Sequence, residues 1–185
     1  MLSASKCLLT GLLFLATLSS AFKFTEDHED GIYFLTIGDD GNEAYTLMDQ
    51  NLTDVSGAAP PYSARLGRRY QYLPSDSIAY CNPNVVDMND FYQVAYNKFW
   101  SICINLGNTR VGEKQAVAAK SQTTVAYMCD YAENPCNVNE WWESVGWISS
   151  VCTGLGDSVW KQAGWMSIPS WKKSYGYDDI NNGFC

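Results

Sequence analysis

The sequence predicts an α+β domain, a two-layer sandwich in which two helices pack on a small antiparallel sheet and three disulfides staple the layers. Three observations lead there. Six cysteines, Cys81, Cys103, Cys129, Cys136, Cys152 and Cys185, follow an apolar leader of the kind that carries a chain out of the cytosol. Two segments repeat apolar residues at helical spacing. Between and after them lie runs of β-branched and aromatic residues, which suit a pleated, half-buried surface. The order helix, strand, helix, strand places the helices on one face of the sheet.

The leader comes first. Lys6 supplies a positive start, Cys7 to Leu18 an apolar run, and Ser19 and Ala21 the small residues of a cleavage site, so residues 1–21 read as a signal peptide. The run is shorter than the roughly 20 residues that span a bilayer. Disulfides persist outside the cell. The even number of cysteines left after Cys7 departs therefore reads as three bridges. The spacing of "CDYAENPC" and the lack of a nearby histidine argue against zinc.

Residues 22–69 contain neither cysteine nor tryptophan, and they hold the single histidine, His28. "IYFLTI", the turn "GDDGN" and "EAYTLM" predict a β-hairpin. Asn51-Leu52-Thr53 is an N-glycosylation triplet. "GAAPPYSARLG" reads as an exposed linker, and it runs into Arg68-Arg69. Exposed linkers of this composition are where proteases cut. Residues 22–69 thus read as a pro-segment removed after Arg69, the alternative being a solvated basic loop in a chain that keeps its N-terminal part.

Residues 70–185 carry the stapled domain. Asp87 caps a first helix whose stripe is Met88, Phe91, Ala95, Phe99 and Ile102, with Gly107 as its stop. "KQAVAAK" and "QTTVAYMCDY" read as strands. Asn137, with Glu140 three residues on, opens a second helix in a capping-box pattern. Its stripe is Val138, Trp141, Val145, Ile148 and Cys152, and Gly154 can end it. Trp165 and Met166 begin a short strand that Pro169 confines to an edge or a bend. Cys136 and Cys152 sit at opposite ends of the second helix, roughly 20 Å apart. A disulfide needs Cα atoms within about 7 Å, so these two should not pair. Cys81 and Cys103 bracket the first helix in a similar way, though the loop from Cys81 to Asp87 could fold back. A bridge from Cys185 would hold the end of the chain.

"VAYMCDYAENPC", the helix ending in Cys152, "GWMSIPSWKKSYGYDD" and the terminal "FC" together resemble a family of small secreted proteins of filamentous fungi. "DGIYFLTIGDDGNEAYTL" and the dibasic pair resemble that family's pre-domain arrangement. The order of elements is more distantly similar to killer-toxin-like and necrosis-inducing effector domains. These resemblances imply an α+β sandwich acting outside the cell, toward a host or a competitor.

The net charge of −8 lacks the Lys/Arg clusters that attract phosphate backbones or anionic lipids, so neither nucleic acid nor stable membrane insertion is expected. A chain starting at Tyr70 has no histidine to serve as a general base and no unpaired thiol. Carboxylates remain, in Asp130 and Glu133 and in Glu140 and Glu143, but loop and helix carboxylates are usually solvated or capping. "YDDINNG" places Asp179, Asn181 and Gly183 like half a calcium loop without its distal glutamate, and reads as a polar loop tying down the C-terminus. No cofactor or metal is expected. Trp142 and Trp147 fall off the second helix's stripe. With Trp165 and Trp171 they are the candidate binding surface, unless they pack under loops or at a sheet edge. A flat aromatic row would suit a carbohydrate, a clustered patch a protein partner. The sequence therefore points to a secreted, non-enzymatic effector or toxin-like protein that binds an extracellular protein or glycan. A carbohydrate-binding module for cell-wall polysaccharide is the first alternative, and a small carboxylate hydrolase the second.

Overall fold

The computed structural model describes residues 21–48, 71–152 and 160–185. Residues 1–20 of the expected signal peptide, Asn51, Arg68, Arg69 and Gly154 lie outside these residues. Nine strands form, β1 (Gly31–Ile37), β2 (Glu43–Leu47), β3 (Ile78–Asp87), β4 (Arg110–Val111), β5 (Gln115–Ser121), β6 (Thr124–Asp130), β7 (Asn134–Pro135), β8 (Trp160–Ile168) and β9 (Lys173–Asp179). Seven of them make one sheet in the order β2-β1-β5-β6-β9-β8-β3. Its paired neighbours all run antiparallel. β4 and β7 pair separately.

The class is α+β, but the sheet is not small. Strands β3 and β9 add to those expected, and β1 and β2 join the same sheet because β1 pairs along β5, from Gly31 opposite Lys120 to Thr36 opposite Gln115. Asp40 fixes the hairpin turn by accepting from the Asn42 N–H at 3.0 Å and from its amide at 2.7 Å. Gly41, at φ +78°, takes the backbone conformation that L side chains disfavour.

The first helical stretch is a turn, α1 (Met88–Asp90), then a π segment (Phe91–Ala95), then α2 (Tyr96–Leu106). Asp87 caps it by accepting from Asn89 and Asp90 N–H groups. Gly107 ends it at φ +54°. α3 (Val138–Val151) is capped by Asn137, which accepts from Asn139 and Glu140 N–H groups.

All helices lie on one face. Phe91, Phe99, Ile102, Trp141, Val145 and Ile148 pack there against Val117, Ala119, Ala126, Met128, Met166, Tyr175 and Tyr177. The other face has its own smaller core, of Phe22, Phe24, Tyr33, Leu35, Ala116, Ala118, Val125, Tyr127, Ile180 and Phe184. The chain before β1 and the chain after β9 thus form a third, partial layer, joined by a bridge between Phe22 and Phe184. A two-layer sandwich describes only the half of the sheet away from this cover.

The bridges are Cys81–Cys152, Cys103–Cys136 and Cys129–Cys185, with Cα separations of 5.4, 4.8 and 5.5 Å. Neither pairing excluded by helix geometry occurs. Each bridge joins separate elements: β3 to the end of α3, α2 to the start of α3, and β6 to the C-terminus. β8 is longer than its sequence suggested and is interior, between β9 and β3. Pro169 acts through the bend alone, opening a 3₁₀ turn (Pro169–Trp171). β3 is an edge strand, as β2 is at the other end, and its register shifts between Cys81 and Val85 around Pro83.

Candidate functional site

On the second face beyond β6, β9 presents small or polar residues, Ser174, Gly176 and Asp178, all buried, while its large residues, Tyr175 and Tyr177, face the helices. A Cβ on Gly176 would stand 2.5 Å from the Tyr127 ring, so glycine lets that ring lie flat on the strand. Beside this floor is a pocket of about 240 Å³ lined by Asn82, Tyr127, Tyr131, Trp165, Ser174, Asp178 and the chain end, Gly183 to Cys185.

Trp165 of β8 forms one wall, and Tyr80 of β3, outside the lining itself, stacks on it with ring centroids 5.2 Å apart and planes 19° from parallel. Tyr80 is 43% exposed and the lining residue Tyr131 47%. Phe184 stacks on Tyr127 at 4.6 Å. The Cys129–Cys185 bridge fixes the chain end as the remaining wall.

Asp178 organises the polar side. Only 2% exposed, it accepts from the Asn82 amide at 2.7 Å, the Asp179 N–H at 2.8 Å, the Asn182 amide at 3.2 Å and the Asn84 amide at 3.4 Å. Burial pushes its carboxyl above the usual range, against the pull of these hydrogen bonds. The Asn82 oxygen in turn accepts from the Asn84 amide at 2.6 Å. Burial likewise raises the Tyr131 phenol, while its hydrogen bond with Ser174 pulls the other way. The pocket therefore sets flat apolar rings beside the Asn82 amide and the Ser174 and Tyr131 hydroxyls, and the buried Asp178 carboxyl holds that amide in place from below. Among the described residues lining the pocket, Asp178 is the one carboxylate side chain. No family model, no curated protein and no solved structure matches the chain.

The four tryptophans proposed from sequence do not share a surface. Trp147 and Trp171 pack against the helix-side core, whereas Trp165 packs against the core of the opposite face. Trp142 is on α3 and partly buried. Of the four, only Trp165 reaches the pocket.

The carboxylates expected in solvent are mostly inside. Asp130 is 1% exposed and accepts from Ala132 and Asn134 N–H groups. Glu140 does not complete a capping box. It accepts from Lys173 Nζ at 2.5 Å and from the Tyr175 hydroxyl at 3.0 Å, joining α3 to β9. Glu143 accepts three backbone N–H groups, those of Gln71, Tyr72 and Leu73. Glu133 is exposed. Asp179 accepts from the N–H and amide of Asn181 in the turn that follows β9. No group of His, Cys, Asp and Glu suited to a metal occurs among the described residues. No helix there is long and apolar enough to cross a membrane.

Tyr80, Asn82, Tyr131, Ser174 and Asp178 were not singled out in the sequence. One signal was available: "KSYGYDD" alternates small or acidic with aromatic residues at the period of a strand, which marks one face as bare.

Proposed function

We propose that the protein is a secreted, non-enzymatic binding protein of the effector or toxin-like kind, and that its pocket recognises carbohydrate on an extracellular target. One observation carries the reading, the Tyr80–Trp165 stack beside the amide-bound Asp178. An aromatic face takes the C–H face of a sugar ring, and amide and hydroxyl groups beside it bond the sugar's hydroxyls. A pocket of about 240 Å³ is below the roughly 300 to 1,000 Å³ of ordinary ligand clefts, so it would take a single terminal sugar rather than a long chain. The three disulfides support an extracellular setting.

Binding of the purified protein to a panel of soluble glycans and insoluble cell-wall polysaccharides tests this. Trp165→Ala should weaken binding at least tenfold, about 1.4 kcal/mol, in titrations run well below its unfolding transition, where circular dichroism shows the native fold; its thermal midpoint should fall, because Trp165 also packs on the core. Binding that survives Trp165→Ala and Tyr80→Ala together would refute the pocket as the recognition site.

A further inference from the structure

We infer that the N-terminal hairpin is a permanent part of the working molecule, and that cutting the chain between Met48 and Gln71 yields two pieces that stay together without a covalent link. β1 is an interior strand, paired to β2 on one side and along six residues of β5 on the other. Phe22, Phe24, Tyr33 and Leu35 are at most 4% exposed. They pack on Tyr127 and Phe184, with Phe24 stacked 5.8 Å from Phe184. Removing them would bare one face of the sheet, leave β5 as an unpaired edge with the apolar run Ala116 to Ala119 exposed, and strip buried Lys120 of its partner Asp30. Such an edge pairs with other chains rather than staying monomeric.

Both ends of the intervening stretch are anchored independently. The Met48 N–H donates to the Ile32 carbonyl at 2.8 Å. On the far side of the molecule, Gln71, Tyr72 and Leu73 donate to Glu143 at 2.7, 2.6 and 2.9 Å. Glu143 is 8% exposed and belongs to α3, so this anchor does not depend on the hairpin. Arg68-Arg69 falls between the two anchors in sequence. Hydrolysis after Arg69 by a dibasic-specific protease consumes one water and leaves the Arg69 carboxylate and the Tyr70 ammonium. That ammonium arises one residue from Gln71, next in sequence to groups bonded to a buried anion. Residues 22–69 hold no cysteine, so no disulfide would tie the pieces together.

The full-length protein, purified and treated with a dibasic-specific protease, tests the inference. A variant with residues 57–63 replaced by a site-specific protease sequence is cut in parallel, so the outcome does not hinge on the natural site. The cut protein should elute as one native peak containing both pieces and separate into two on a denaturing, non-reducing gel. Its thermal midpoint should rise with protein concentration, whereas that of the uncut chain should not. Leu35→Ala in the cut protein should release the N-terminal piece on dilution, while the uncut variant stays folded. An N-terminal piece that leaves the wild-type cut protein under native conditions, with residues 71–185 still folded, would overturn the inference. A dimer built by exchanged hairpins would overturn it too.

Discussion

Gly176 shows how one missing side chain shapes the pocket floor. The Tyr127 ring occupies the space a Cβ would take, and Tyr127 is held from the other side by Phe184. Gly176→Ala should displace the ring and destabilise the fold by about 1 to 3 kcal/mol, the usual effect of overpacking. The same change should impair ligand binding, because Tyr127 lines the pocket. Denaturant midpoints and glycan titration read the two effects separately. Asp178 makes a prediction of opposite character. Its carboxyl titrates above the ordinary value of 3.8 because burial disfavours the charge. A raised folded-state pKa gives stability that is complete below the unfolded value and fades as pH climbs through the folded one. Asp178→Asn should therefore hold or gain stability at neutral pH and lose part of wild type's gain on acidification. Urea midpoints at pH 7 and pH 5 would show whether that pH response flattens.

At the scale of elements, the helices were legible and the sheet only partly so. Met88, Phe91, Ala95, Phe99 and Ile102 repeat at helical spacing, and each proves buried. The π segment that widens the helix at Phe91–Ala95 leaves no mark in such a pattern. β3 escaped notice because "IAYCNPNVVD" contains a proline and several asparagines, turn residues that an edge strand with a bulge accommodates. β9 escaped because Gly176 and two aspartates look like loop chemistry, although its partners on both sides enforce extension. The pocket was hidden for the same reason, since it rests on β3, β8, β9 and the chain end, whose meeting is a matter of topology. Trp165 alone signalled it. The helices owe part of their placement to Cys103–Cys136, which ties α2 to the start of α3. Replacing both cysteines by alanine should lower stability by about 2 to 5 kcal/mol, read from thermal or denaturant unfolding. The pocket lies on the opposite face, so glycan affinity below the transition should change little.

The whole molecule is a broad sheet with two unequal covers. Helices bury one face along much of its width, and the two chain ends bury part of the other. Charge follows the same division of labour. Buried Asp130 and Asp178 have carboxyls raised by burial, so neutral pH weakens their contribution and mild acid restores it. Asp30 runs the other way. Burial would raise it, but the hydrogen bonds from Lys120 and the Gln122 N–H and the nearby lysine charges hold it below the usual range. Its share is present above the unfolded value and lost as pH falls through the folded one.

The chain end that walls the pocket has a practical consequence. Gly183, Phe184 and Cys185 line the opening, and the bridge to Cys129 keeps them there. Anything fused after Cys185, whether an affinity tag, a fluorescent reporter or a display scaffold, would emerge at the mouth and compete with the ligand for the same space. Phe22, paired with Phe184, lies in the cover beside it, so a fusion ahead of Phe22 would also emerge on that face. Immobilisation through the half-exposed Lys114, which precedes β5 and pairs with Asp39 of the hairpin turn, would leave the opening free.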